Sequence, residues 1–104
     1  MSTGFSTGLT PAEAERLAML AEEAGEIVQA CMKVLRHGYE SYNPDRPSDG
    51  SNRQQLAREL GNFDHITTIM FDCGDYEMVD VRVGIDRKRR SLKRYAHFEH
   101  KPVD

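Results

Sequence analysis

The chain is predicted to be all-α: an antiparallel helical hairpin followed by a C-terminal helix. Three observations predict this. Apolar residues recur at three- and four-residue intervals over two long stretches. Each stretch opens on a capping-box signature, and each closes on a glycine. At 104 residues the chain suits one domain with a small core, which association with further copies would help to stabilise. We read residues 1–104 as that single helical domain.

Residues 1–9 are expected to form a flexible tail. The opening "MSTGFSTGLT" has no basic region and no apolar run, so no export signal is read there. Thr10, Pro11 and Glu13 suit the N-cap, N1 and N3 positions of a helix. Leu17, Leu20, Ala21, Ala24, Val28, Cys31 and Leu35 then follow at helical spacing, and Gly38 is a stop. The first helix is placed at 11–37.

Residues 39–51, "YESYNPDRPSDGS", hold two prolines, two tyrosines and a run of turn formers. A connection of about a dozen residues is long for a compact domain, which makes it a functional candidate. Ser51 and Gln54 form the second capping box, and Leu56, Leu60, Phe63, Thr67 and Met70 form the second apolar stripe. This helix is placed at about 52–73, ending at Gly74. A third helix, capped by Asp80, would turn Val81, Ile85, Leu92, Tyr95 and Ala96 inward. Its competitor is a strand at "MVDVRV", which alternates and is β-branched. Tyr95 and Phe98 are expected in the core, and Met19, Met32 and Met70 in packing or an interface.

A formal net charge of −3 implies no global polyelectrolyte role. The charges are unevenly distributed, however. Residues 11–30 carry five glutamates against one arginine, and residues 82–94 carry seven Lys/Arg against one aspartate. The two cysteines, Cys31 and Cys73, have no metal-ligand spacing. They are expected as reduced, part-buried side chains of a cytoplasmic protein. No stretch approaches the length of a membrane span.

Three glutamates, Glu22, Glu23 and Glu26, crowd two turns of the first helix. Like charges at this spacing cost a few tenths of a kcal/mol even when solvated. On a helical wheel with Ala24 at zero, Glu22 and Glu26 fall near 180°, Glu23 lies to one side, and Lys33 lies on the face of Glu22 and Glu26. That alone suits a solvated face. Glu59 is different, because it falls among Leu56, Leu60 and Phe63. A carboxylate on an apolar seam is costly unless it is paired or bound to metal. The bland alternative pairs it at the rim with Arg58 or Arg90. In an antiparallel hairpin Glu59 would meet the Glu23/Glu26 side, with Asn62 one turn further on. Oxygen-rich clusters of this kind suit Mg²⁺ or Mn²⁺.

"EEAGE" followed by "ELGN" resembles the E-E-x-x-E and E-x-x-D signature of the MazG-like all-α nucleoside triphosphate pyrophosphohydrolases. The wider string from "LAEEAGEIVQACMKVLRHGYESYNP" to "LARELGNF", with the basic "DRKRRSLKRYAHF", is similar to short phage and bacterial members over roughly residues 15–98. The resemblance implies helix pairs that oligomerise, as dimers or tetramers, into four-helix-bundle cores. It implies cleavage of a (deoxy)nucleoside triphosphate to the monophosphate and pyrophosphate with two or more Mg²⁺ or Mn²⁺ ions per site. A deoxypurine triphosphate such as dGTP is the expected substrate, in host cytoplasm if the chain is phage-encoded. Carried over, the metal ligands are Glu22 or Glu23, Glu26, Glu59 and Asn62, with Glu22 or Glu23 as base. Asn62 departs from the pattern, which has aspartate there, and removes one negative charge.

By resemblance Lys88 and Lys93, with Arg94 beside them, are the phosphate-binding candidates, and Lys33 is a further one. Tyr42 and Asn43 either contact the base or cover the core end and start a turn. The competing readings are a nucleic-acid-binding module led by residues 82–94, which is disfavoured, and a non-catalytic helical assembly protein.

Overall fold

The structure, a computed structural model, describes residues 6–103. The first five tail residues lie outside the described residues, and residues 6–9 have no regular secondary structure. Three helices follow: α1 (Pro11–His37), α2 (Asn52–Asp72) and α3 (Met78–Tyr95), with no named strand among the described residues.

Both capping boxes form. The Glu13 N–H donates to Thr10 Oγ1 at 3.1 Å, and the Thr10 N–H donates to Glu13 Oε1 at 2.8 Å. Ser51 and Gln54 repeat this at 3.2 and 2.9 Å. "MVDVRV" is helical, and α3 starts earlier than expected. Its N-cap is Glu77, while Asp80 sits in the first turn. There a carboxylate complements the helix dipole without capping any N–H.

α1 and α2 pack along one another, and α3 makes only slight contact with them. Both ends of the hairpin are fastened. At the loop end, buried Asn52 donates from Nδ2 to the Gly38 carbonyl at 3.0 Å, and its N–H donates to the Ser41 carbonyl at 2.8 Å. At the other end the Arg16 guanidinium makes a two-pronged pair with Asp75, Nε to Oδ2 at 2.6 Å and Nη2 to Oδ1 at 2.9 Å. The Arg16 hydrogen bonds hold the Asp75 carboxyl below the ordinary aspartate range.

That shift fixes a sign. The stability from this pair is full above the unfolded aspartate pKa, about 3.9, and is lost as pH falls through the depressed native value. Asp75→Asn should lower the Tm at pH 7, and below about pH 4 the variant and wild type should converge. Parallel Tm curves across that range, measured by circular dichroism, would contradict this.

The packing seam keeps most of the stripe predicted on α2, where Leu56, Phe63, Thr67 and Met70 are shielded, and differs on α1. Shielded residues of α1 include Arg16, Leu20, Glu23, Ile27, Ala30 and Val34, and they face the α2 series Asn52, Leu56, Glu59, Phe63, Ile66 and Met70. Each series alternates steps of three and four. Apart from Leu20, which is on the seam, the expected stripe of α1 lies one residue along, rotated by about 100°. It is left in water, with Val28 61% and Leu35 77% exposed. Leu60, Ile85, Leu92, Tyr95 and Phe98, all expected inside, are exposed as well. Cys31 and Cys73 are free thiols and also exposed, which corrects the part-buried expectation. Among the methionines, Met70 is buried and Met32 is not.

This chain by itself is too open for its mass. Its radius of gyration is 18.0 Å, against about 13 Å for a compact domain of this length. Its accessible surface is 9037 Å², where a folded monomer of this mass exposes about 5900 Å². No helix of the described residues is long and apolar enough to cross a membrane.

Candidate metal centre

The seam that buries Ile27 and Phe63 also carries two acids. Glu23 comes from α1 and Glu59 from α2, half-buried between apolar turns, and Glu26 joins them from the exposed edge. One carboxylate oxygen from each of the three lies within 4.8 Å of the others. Neither Glu23 Oε2 nor Glu59 Oε2 reaches solvent or takes a hydrogen bond from any described group. Glu59 forms no ion pair with Arg58 or Arg90. Arg58 instead donates to the Asp49 carbonyl, and Arg90 makes no ion pair among the described residues.

Such an arrangement is uphill for the empty protein. Burial, and then the approach of Glu59, push the Glu23 carboxyl above the ordinary glutamate value, while the Asn62 amide pulls it back. Glu26 is pushed the same way, first by a hydrogen bond that forms when it shares a proton with Glu59, then by the charges of Glu59 and Glu23. Two orphaned buried oxygens and three converging carboxylates are the kind of donors a hard cation takes. Across an octahedral Mg²⁺, opposite oxygens stand about 4.2 Å apart, twice the ~2.1 Å bond. Neighbouring oxygens stand about 3.0 Å apart, so the three carboxylates would have to draw closer to share one ion.

Glu23 is in the cluster; Glu22 is exposed and outside it, though its charge acts on both Glu23 and Glu26. Asn62 is exposed and acts on Glu23 through its amide. An aspartate there would add a fourth negative charge.

A cavity of about 100 Å³ opens beside the acids, lined by Glu26, Gln29, Ala30, Lys33, Asn52, Gln55 and Glu59. That volume corresponds to about three waters of liquid. Lys33, Asn52 and Gln55 also line a larger cavity of about 490 Å³ under the 39–51 loop, where Tyr42 and Asn43 sit. Tyr42 is 57% exposed and its backbone bridges to Ser51. Asn43 Oδ1 accepts from the Asp45 N–H at 2.9 Å, so its carbonyl oxygen is already used in starting the turn.

The C-terminal cations are elsewhere. Lys93 lines a separate cavity with Leu92 and Phe98, Arg94 stacks 5.9 Å from the Tyr95 ring centroid, and Lys88 is exposed. A single chain does not bring these three to the acids. Conversely, Arg36 and Arg46 line the loop cavity and were not anticipated. Arg36 lies three residues after Lys33 and so shares its face, a spacing visible in the sequence.

Comparison with protein-family models, with curated proteins and with solved structures finds no match for this chain.

Proposed function

We propose that this protein is a metal-dependent (deoxy)nucleoside triphosphate pyrophosphohydrolase that works as a homo-oligomer. The observation that carries the reading is the convergence of Glu23, Glu26 and Glu59 from two helices, with buried oxygens left unpartnered. The residue pattern of "EEAGE" and "ELGN" resembles the MazG-like enzymes and supports the same chemistry. The substrate class is a nucleoside triphosphate, with a deoxypurine such as dGTP the first to try.

In this reading Glu23, Glu26 and Glu59 hold Mg²⁺ or Mn²⁺. Bound there, the cations would neutralise charge on the triphosphate and acidify a water. Glu22, outside the triad and open to solvent, is free to take a proton from the attacking water. Asn62 offsets part of the push on Glu23 toward its neutral form. Lys33 lines both cavities, which supports a role for it on a phosphate oxygen.

The second copy follows from surface area. The excess over a compact chain is roughly 3000 Å² per copy, about 6000 Å² for a pair, which is at the large end of obligate homodimer interfaces. The stripe of Leu17, Ala21, Ala24, Val28, Cys31 and Leu35 is the natural contact. Such pairing also sets two hairpins side by side, which is a four-helix core.

The test is to incubate purified protein with each of the eight common nucleoside and deoxynucleoside triphosphates and Mg²⁺ or Mn²⁺. Monophosphate plus pyrophosphate from at least one is expected, and none from any would reject the proposal. A second reading, nucleic-acid binding through α3, is favoured by how far that basic helix stands from the hairpin. It predicts oligonucleotide binding that weakens steeply with salt and that survives Glu26→Ala.

A further inference from the structure

The loop cavity raises a separate question: which part of a nucleotide would lie there. Three cations line it, Lys33 and Arg36 from α1 and Arg46 from the loop, together with His37. Against them stands a single carboxylate, Asp49. None of the three makes an ion pair among the described residues. Neighbouring arginines are spoken for. Arg53 donates to Glu40 at 2.7 Å and lies over the Tyr39 ring at 4.3 Å, and Arg58 is held by the Asp49 carbonyl. The unpaired cations therefore all point to one vacancy of charge, under a loop whose backbone is fastened.

That fastening is specific. The Arg53 N–H donates to the Tyr39 carbonyl and the Arg46 N–H to the Asn43 carbonyl, at 2.8 and 3.0 Å. Gly50, with φ 80°, passes so close to Gln54 that an added Cβ would lie 2.4 Å from its Oε1. The cavity is thus held open by built geometry. It communicates with the acidic cluster through Lys33, Asn52 and Gln55, which line both spaces.

A base would want apolar faces and free amide groups. The cavity offers one tyrosine, one proline and three amides, each already engaged: Asn43 through its oxygen, and Asn52 and Gln55 through their amino groups on the Gly38 and Gly50 carbonyls. A chain of phosphates would want unpaired guanidinium and ammonium groups leading away from a metal. We infer that the 39–51 loop cavity binds the terminal phosphates of a polyphosphate tail through Lys33, Arg36 and Arg46. This rests on, and deepens, the triphosphate reading.

Titration calorimetry of the full-length protein with inorganic pyrophosphate and tripolyphosphate, with and without Mg²⁺, tests this. Wild type should bind both, and Arg36→Ala with Arg46→Ala should weaken binding at least tenfold. Lys88→Ala with Lys93→Ala should leave it unchanged, and a nucleoside monophosphate, which has a base but no phosphate tail, should compete poorly. Circular dichroism of each variant checks folding, and Arg36→Lys with Arg46→Lys, which keeps the charge, should restore part of the binding. No binding to wild type, indifference to the loop arginines, or loss only with the α3 lysines would each overturn the inference. The two readings fail separately. Binding that depends on Arg36 and Arg46 without hydrolysis of any nucleotide rejects the enzyme and keeps the subsite. Hydrolysis with loop-independent binding does the reverse.

Discussion

Glu59→Gln should move stability and activity in opposite directions. In the metal-free protein it removes the charge that pushes on both Glu23 and Glu26. Glutamine keeps the shape and adds a donor that can reach an orphaned Glu23 oxygen. The Tm without metal should therefore rise. Hydrolysis should fall by more than roughly 100-fold, since loss of even an outer-shell partner typically costs 10–100-fold. The added stabilisation by Mn²⁺ in a thermal melt should shrink as well. That outcome would be the usual opposition of stability and function. A metal-free Tm that drops, with activity intact, would show that Glu59 is a structural side chain only.

Asn62→Asp is the complementary change. It replaces the amide that favours ionised Glu23 with a fourth like charge. The metal-free Tm should fall, and the gain in Tm on adding Mn²⁺ should grow. If the substitution changes neither, the fourth position lies outside the centre, and the reading as a non-catalytic assembly protein gains support.

The other large effect is expected on the exposed seam of α1. Val28 and Leu35 are among its most exposed apolar residues, 61% and 77% accessible, with Cys31 between them and Ala24 one turn before Val28. Fully burying a valine or leucine side chain contributes about 1.5–3 kcal/mol. In a two-fold interface each side chain is buried twice. With 61% of Val28 available for burial, Val28→Glu should thus weaken self-association by roughly 20- to 400-fold from lost burial alone, at tenfold per 1.4 kcal/mol. Charge placed against its symmetry mate adds repulsion. Sedimentation equilibrium at micromolar concentration should show oligomer for wild type and monomer for Val28→Glu. The variant should also melt at a lower temperature, because its hairpin is left with two half-exposed helices. A monomeric wild type would dispose of the seam as an interface, leaving the acidic cluster untouched.

Much of the fold was legible in the chain itself. Thr10 with Glu13 and Ser51 with Gln54 are local devices: each cap closes on residues three apart, so no distant contact is needed to set where α1 and α2 begin. Gly38 and Gly74, both with φ above 80°, end the helices for an equally local reason. The start of α3 was less legible, because Glu77 caps it without a side-chain hydrogen bond to announce it.

The choice of seam was not local. Both stripes of α1 obey the same three-four spacing, and the one centred on Ala24 is the more apolar, so periodicity alone selected it. Only docking against α2 shows that the stripe containing Arg16, Glu23 and Ala30 is the one that faces inward. The same docking puts Glu23 with Glu59 and leaves Glu22 outside. Side chains one residue apart differ by about 100° around a helix, and a partner helix decides between them.

The sequence by itself determined that the chain is helical, where two of its three helices start and stop, and that acids crowd one end and bases the other. Hydrogen bonds within four residues and side-chain propensity suffice for that. Tertiary structure alone decided which acids meet, that Lys33, Arg36 and Arg46 line one cavity under the loop, and that the most apolar face of α1 is left uncovered. Those are facts about the rotation of one helix against another, and no spacing within a single helix contains them.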